Sequence, residues 1–168
     1  MPNPIYAWFT GENQGAMEGW GSWPGEDDQE GREGSSLVQQ FDHEITIPRD
    51  PQSGLATGRR VHHPVRIVKR IDKASPMLYQ ALTSGERFPE VVFKWYRIDP
   101  TGVGGQVNYF TTKLEEAVCM SMKEWFPITS DSQKSDYSHF EDVSFTYRKI
   151  IWTWEDGGIE TEDDWKKG

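Results

Sequence analysis

From Val65 to Ile98 the chain reads VRIVKRIDKASPMLYQALTSGERFPEVVFKWYRI, and the spacing of its apolar residues changes twice along the way. Val65, Ile67 and Ile71 alternate with Arg66, Val68 and Arg70, the two-residue period of a half-buried strand that ends at Asp72. Ser75 before Pro76 predicts a helix start. A serine hydroxyl accepts from orphan backbone N–H groups, and proline at the first helical position gives up no donor that the helix needs. Asp72 is an alternative cap. Met77, Leu78, Ala81 and Leu82 then share one face at helical spacing, and Gly85 supplies the positive φ at which helices stop. A helix this short is marginal in water, so its apolar face must dock on a sheet. Val91, Phe93 and Trp95 alternate with Lys94 and Tyr96, which predicts a return strand to Ile98.

The rest of the chain is written mostly in strand periods. Ile5 to Phe9 is a short aromatic strand, and Leu37 to Pro48 is another, whose broken alternation of Val38, Phe41, Ile45 and Ile47 suggests a bulge. Gln106 to Glu115 and Ala117 to Phe126 follow, the second with Val118, Met120 and Met122 on one face and Cys119 and Ser121 on the other. Phe140 to Trp154 carries the longest pattern. Val143, Phe145, Tyr147 and Ile151 fall on one of its faces and Ile150, Trp152 and Trp154 on the other, so something besides the core is expected to cover it. About seven strands and one helix make an all-β fold, a barrel or two-sheet sandwich flanked by the helix.

Between these elements lie four polar stretches. Gly19 to Gly34 holds five acids against Arg32 and reads as a solvated insertion loop pinned by one or both of Trp20 and Trp23, a negatively charged interaction tail being the other reading. Pro48 to Arg60, PRDPQSGLATGRR, is an exposed connection longer than a usual hairpin loop, which marks it for function. Asp99 to Gly105, DPTGVGG, is a hairpin turn; no Lys-Ser/Thr follows it as a phosphate-cradling loop requires. Ile128 to His139 is a polar break, and Glu155 to Gly168, with six acids, reads as a solvated end around Trp165.

At 168 residues the length is that of a single domain, 1–168, able to bury one core without metals or disulfides. The net charge of −9 argues against nucleic-acid or acidic-membrane partners, which need a basic footprint. No apolar run approaches the ~20 residues of a membrane span. The N-terminus has neither the basic nor the apolar region of a secretory signal, so export, if it occurs, is expected by another route. Cys119, the single cysteine, fits a reducing compartment and a buried mid-strand position.

Candidate chemistry is sparse. His62 and His63 are sequential, so on a strand they point to opposite faces and share no ion easily; His43 and His139 are scattered. Glu160, Glu162, Asp163 and Asp164 lack the calcium-loop spacing. No nucleophile elbow is present, and no cofactor or metal site is expected. Eight tryptophans suit a β-core, a subunit interface, or a sugar- or peptide-binding face, and composition does not choose among them.

The combination of LVQQFDHEITIPRDPQSGLATGRRVHHP (Leu37 to Pro64), RIDKASPMLYQALTSGE (Arg70 to Glu86), VVFKWYR (Val91 to Arg97), FEDVSFTYRKIIWTWEDGG (Phe140 to Gly158) and Asp163-Asp164-Trp165 resembles Hcp (hemolysin-coregulated protein), the tube protein of bacterial type VI secretion systems. Asp72, Lys73, Ser75, Pro76, Tyr79, Gly85, Glu86 and Trp165 carry the motif, and the length and acidity of Gly11 to Ser36 depart from it. The resemblance implies a non-enzymatic β-barrel that closes into a homohexameric ring and stacks into a tube. A contractile sheath drives such a tube outward behind a spike protein, with effectors held in the lumen, from the bacterial cytoplasm to the outside by the type VI route, with no membrane insertion. Within it, Asp50, Pro51, Gln52, Ser53, Gly54, Arg59 and Arg60 are expected to reach a neighbouring ring, and Ile150, Trp152 and Trp154 to lie between ring neighbours. The rival readings are a free-standing enzyme or carbohydrate- or peptide-binding β-domain, and the tail-tube protein of a contractile phage.

Overall fold

The computed structural model describes residues 3–24, 31–102, 104–128, 130 and 139–165. Its frame is a closed barrel of six strands: β1 (Ile5–Gly11), β3 (Ser36–Asp42), β6 (Val65–Arg70), β7 (Arg87–Ile98), β8 (Gln106–Trp125) and β9 (Phe140–Thr146). All pairings are antiparallel, and they run from β8 through β7, β1, β3, β6 and β9 back to β8. Closure removes the open edges that make sheets adhere. Outside the barrel, β2 (Gly15–Met17) folds back on β1, β10 (Lys149–Trp154) pairs the first half of β8, and β11 (Ile159–Asp164) covers β10. A small second sheet joins β4 (Ile45–Thr46) to β5 (Val61–His62).

The helix α1, Ser75–Ser84, forms where the pattern places it, with Leu78 and Ala81 buried and Met77 and Leu82 packed on the core. Gly85 closes it at φ 71°, and the Glu86 N–H reaches the Ala81 carbonyl, the bond of a Schellman end. Its start differs from expectation. Ala74 is the N-cap residue, and no side chain caps the helix. Ser75 is instead drawn inward: its hydroxyl accepts from the Asp72 N–H and donates to Glu141 at 2.7 Å. The Asp72 carboxylate accepts from the N–H of Ala74, the N-cap residue itself.

Three strand boundaries also move. The two strands read on either side of Glu116 are one, β8, with Glu116 at φ 49° where partner strands change: residues up to Glu115 pair β10 and residues from Val118 pair β9. A second irregularity between Cys119 and Ser121 turns Met120 out to 51% exposure, so Val118, Met120 and Met122 do not share a face, and Met122 packs on the core. The stretch from Phe140 to Trp154 is two strands, broken at Tyr147 and Arg148 opposite Glu116. The break shifts the alternation, so Ile150 continues the inward row of Val143, Phe145 and Tyr147. Leu37 to Pro48 likewise divides into β3 and β4, and its expected bulge lies between Val38 and Gln40.

The insertion loop is pinned as read. Trp20 packs edge-on against Tyr6, and Trp23 donates to the Ile71 carbonyl at 2.9 Å. Arg32 is buried over the Tyr96 ring at 3.9 Å. Glu26, Asp27, Asp28 and Glu30 lie outside the described residues, as does most of the polar break before His139. The turn after β7 is a hairpin in which the Asp99 carboxylate accepts from Thr101.

Candidate assembly surfaces

Among the described residues no group of three or more metal-ligating side chains occurs. What the chain presents outward is an arm and a ribbon. The arm is the β4–β5 hairpin, Pro48 to Arg60. Residues 51–59 are all exposed, Leu55 at 70%. Its tip is built from its own bonds. The Asp50 carboxylate accepts from the Gln52 N–H and the Ser53 hydroxyl, which hold it below its ordinary pKa, and Gly54 turns the chain at φ 71°. Asp50, Pro51, Gln52, Ser53 and Gly54 therefore stand together on a shaped tip, and Arg59 is exposed nearer the arm's root, next to Arg60. Arg60 is instead tied down: its guanidinium binds Asp163 through Nε at 2.6 Å and Nη2 at 3.0 Å.

That ion pair belongs to a polar cluster under the arm. His62 Nε2 faces Asp163 Oδ2 at 2.7 Å and His62 Nδ1 faces the Tyr147 hydroxyl at 2.6 Å. His43 Nε2 meets the same hydroxyl at 2.8 Å. His63, pointing the other way as a strand requires, faces Thr46 Oγ1. Trp165 stacks on His62 and its indole N–H donates to the Tyr147 carbonyl. Hydrogen bonds from Arg60, joined by one from His62, outweigh burial and hold Asp163 below the usual carboxylate value. Burial first, then the neighbouring His62 and His63, lower His43, while burial and the Asp163 charge push the Tyr147 phenol up. The tail is exposed from Glu155 to Glu162, as expected from its charge, but β11 orders it and Asp163 turns in to the cluster. His62 and Asp163 are 101 positions apart, and no local signal links them.

The ribbon is β10 and β11 on the first half of β8. Among the described residues the outer edge of β11 has no strand partner. Trp154 is 37% exposed and Ile159, its register partner, 69%. Arg97 lies over both Tyr109 and Trp154, at 5.0 and 5.3 Å. Trp152 is half-buried on the core and Ile150 is fully buried in it. Ile150, Trp152 and Trp154 share one face of β10 as expected, but the break at Arg148 puts that face on the same side as Val143, Phe145 and Tyr147 and not opposite them, so Ile150 is inside and Trp154 is the exposed anchor.

The motif residues hold the helix to the barrel. Asp72 and Ser75 meet Lys69 and Glu141 in a buried network that sequence reading missed. Lys73 is exposed, and its N–H donates to Ser22. Pro76 begins the first turn, and burial followed by the Glu124 charge raises the Tyr79 pKa to about 12. Glu86 accepts from the N–H groups of Asn13 and Gln14.

The family model for the type VI secretion system effector Hcp matches residues 10–154. The chain belongs to the Hcp family. It is 46% identical over 170 residues to the "Major exported protein" of Pseudomonas aeruginosa, covering 99% of this chain and 97% of that one. The crystal structure of an Hcp protein superposes with a TM-score of 0.88 at 34% identity, covering 99% of this chain and all of the other. The secreted protein Hcp3 from Pseudomonas aeruginosa superposes at 0.77 with 41% identity, over 98% and 99% of the two chains. Hcp proteins are secreted tube proteins of type VI secretion, not enzymes, so the barrel with its flanking helix and added strands is the Hcp fold.

Proposed function

We propose that residues 1–168 act as one tube subunit: six copies close into a ring, rings stack into a tube, and a sheath expels that tube behind a spike with effectors in its lumen. The protein is made in the bacterial cytoplasm and leaves by the type VI route. The observation that carries this reading is the match to Hcp proteins along almost the whole chain. The exposed arm and ribbon fit it, since a ring needs one heterologous contact that closes and a stack needs another that does not. The arm tip, from Asp50 to Gly54 with Arg59, reaches the next ring, and Trp154 with the outer part of Trp152 meets the ring neighbour. Static light scattering and negative-stain imaging of one fraction test it: particles of six 19.4 kDa chains with a central hole are expected, and a monomer at every concentration overturns it. Replacing Asp50 to Gly58 by a Gly/Ser linker removes tubes and spares rings. Trp154→Asp separates subunits, and it tests the ring contact more cleanly than Trp152→Asp, which also strikes the core.

A further inference from the structure

The cluster beneath the arm has a definite proton count. His62 Nε2 faces a carboxylate and so carries a hydrogen. With His62 neutral its Nδ1 is an acceptor, the Tyr147 hydroxyl donates to it, and that oxygen accepts from His43 Nε2. One extra proton on His62 is accommodated by reversing the chain, so that His62 donates to Tyr147 and Tyr147 to His43. A second proton is not. Both imidazoles then donate to one hydroxyl whose own hydrogen has lost its acceptor, and two cations face each other with His63 beside them.

We propose that His43, Tyr147, His62, Asp163 and Arg60 form a proton-sensitive latch that holds the arm against the barrel near neutral pH and releases it in acid. The latch ties β5 and the loop before β4, the two roots of the arm, to the corner after β9 and to the end of β11. The other charged groups around it are Asp42 and Glu44 beside His43, Glu116 beside His62 and His63, and Arg148, between β9 and β10, paired with Asp164 on β11. Asp163 already serves two donors and cannot neutralise a third charge.

The sign follows from His43, which sits below the ordinary imidazole value of about 6.5. Above that value neither the closed nor the open form binds the proton, and the latch has its full stability. As pH falls the open form is protonated first, and closure is progressively lost. The depressed Asp163 keeps its charge over the same interval, so His43 sets the transition.

The latch itself is independent of the stacking reading, and only its consequence, loss of tubes in acid, rests on that reading. Amide hydrogen exchange, corrected for intrinsic rates, is compared at about pH 7.5 and about pH 5 on the full chain. Expected is a loss of protection of about tenfold or more, confined to residues 45–46 and 61–63. His43→Gln keeps a donor for Tyr147 and cannot take a proton, so it abolishes most of that loss. Tyr147→Phe, which deletes the shared hydroxyl, lowers protection already at pH 7.5 and weakens the pH dependence. Equal protection at both pH values overturns the latch, as does a loss spread over the whole barrel or an unchanged loss in His43→Gln. Tubes imaged from the same samples separate the two readings: tubes that persist while the arm has opened confirm the latch and overturn the arm's role in stacking.

Discussion

Lys69 and Glu141 are register partners on adjacent barrel strands, and their charged ends meet at 2.5 Å with neither side chain exposed. Asp72 adds a second carboxylate at 2.9 Å, and Ser75 hydrogen-bonds to Glu141. Removing one member of such a group leaves an uncompensated buried charge, whereas replacing both by apolar side chains is often close to neutral. Lys69→Met is therefore expected to cost about 3–5 kcal/mol, and adding Glu141→Leu to recover most of it. Urea unfolding of the two single variants and the double variant measures this; additive losses would contradict it.

Glu86 anchors the β1–β2 hairpin to the end of α1. Burial alone would raise its pKa, but hydrogen bonds from Gln14, through backbone and side chain, and from Asn13 outweigh it and leave the value lowered. Its contribution is complete above the ordinary carboxylate value, about 4.3, and is lost as pH falls through the depressed one. Glu86→Ala is expected to destabilise by about 2 kcal/mol at neutral pH and to flatten the acid limb of a pH–stability curve. Gly11→Ala should do comparable harm, since a Cβ there would lie 2.1 Å from Glu86 Oε2 and 2.7 Å from Met17 Cε.

Cys119 is buried and its thiol pKa is pushed up to about 12. At about pH 8 the native protein should react with a thiol reagent roughly a hundredfold or more slowly than the urea-unfolded chain. Rapid labelling of the native fold would show that β8 opens locally.

At Gly85 the backbone has φ 71°, and a side chain would meet nothing within 4 Å. The cost of a substitution there is purely conformational. Gly85→Ala should lower stability by about 1 kcal/mol and Gly85→Asn by less, because asparagine tolerates the left-handed region better. Thermal melts of the two variants rank them.

The barrel strands and α1 were legible because their burial follows the two- and 3.6-residue periods. The Lys69 pair was equally legible in principle. Val65, Ile67 and Lys69 share one parity, as do Glu141, Val143 and Phe145, so the same alternation that buries the aliphatic residues carries the charges inside. Parity failed where the backbone skips, at Trp95–Tyr96, Glu116, Met120 and Arg148, and each skip marks a change of strand partner or a bulge. The small strands β2 and β11 escaped notice because their residues are polar or few, and they exist by pairing with a neighbour rather than by burying a face. Of the arm, exposure was evident and anchorage was not. Arg60, His62, Tyr147 and Asp163 come together only after the barrel has closed.

Closure also imposes an order in time. β9 is the last barrel strand along the chain, and it enters between β6, made long before it, and β8, which immediately precedes it among the barrel strands. Until residues 140–146 leave the ribosome those two strands hold unpaired edges, and the buried Lys69 has no Glu141 to meet. A nascent chain of this protein therefore carries an adhesive, incomplete sheet until β9 emerges, and cooperative folding of the barrel begins only then. Shielding by a chaperone over that interval, rather than any weakness of the finished barrel, is what its production in a cell should depend on most.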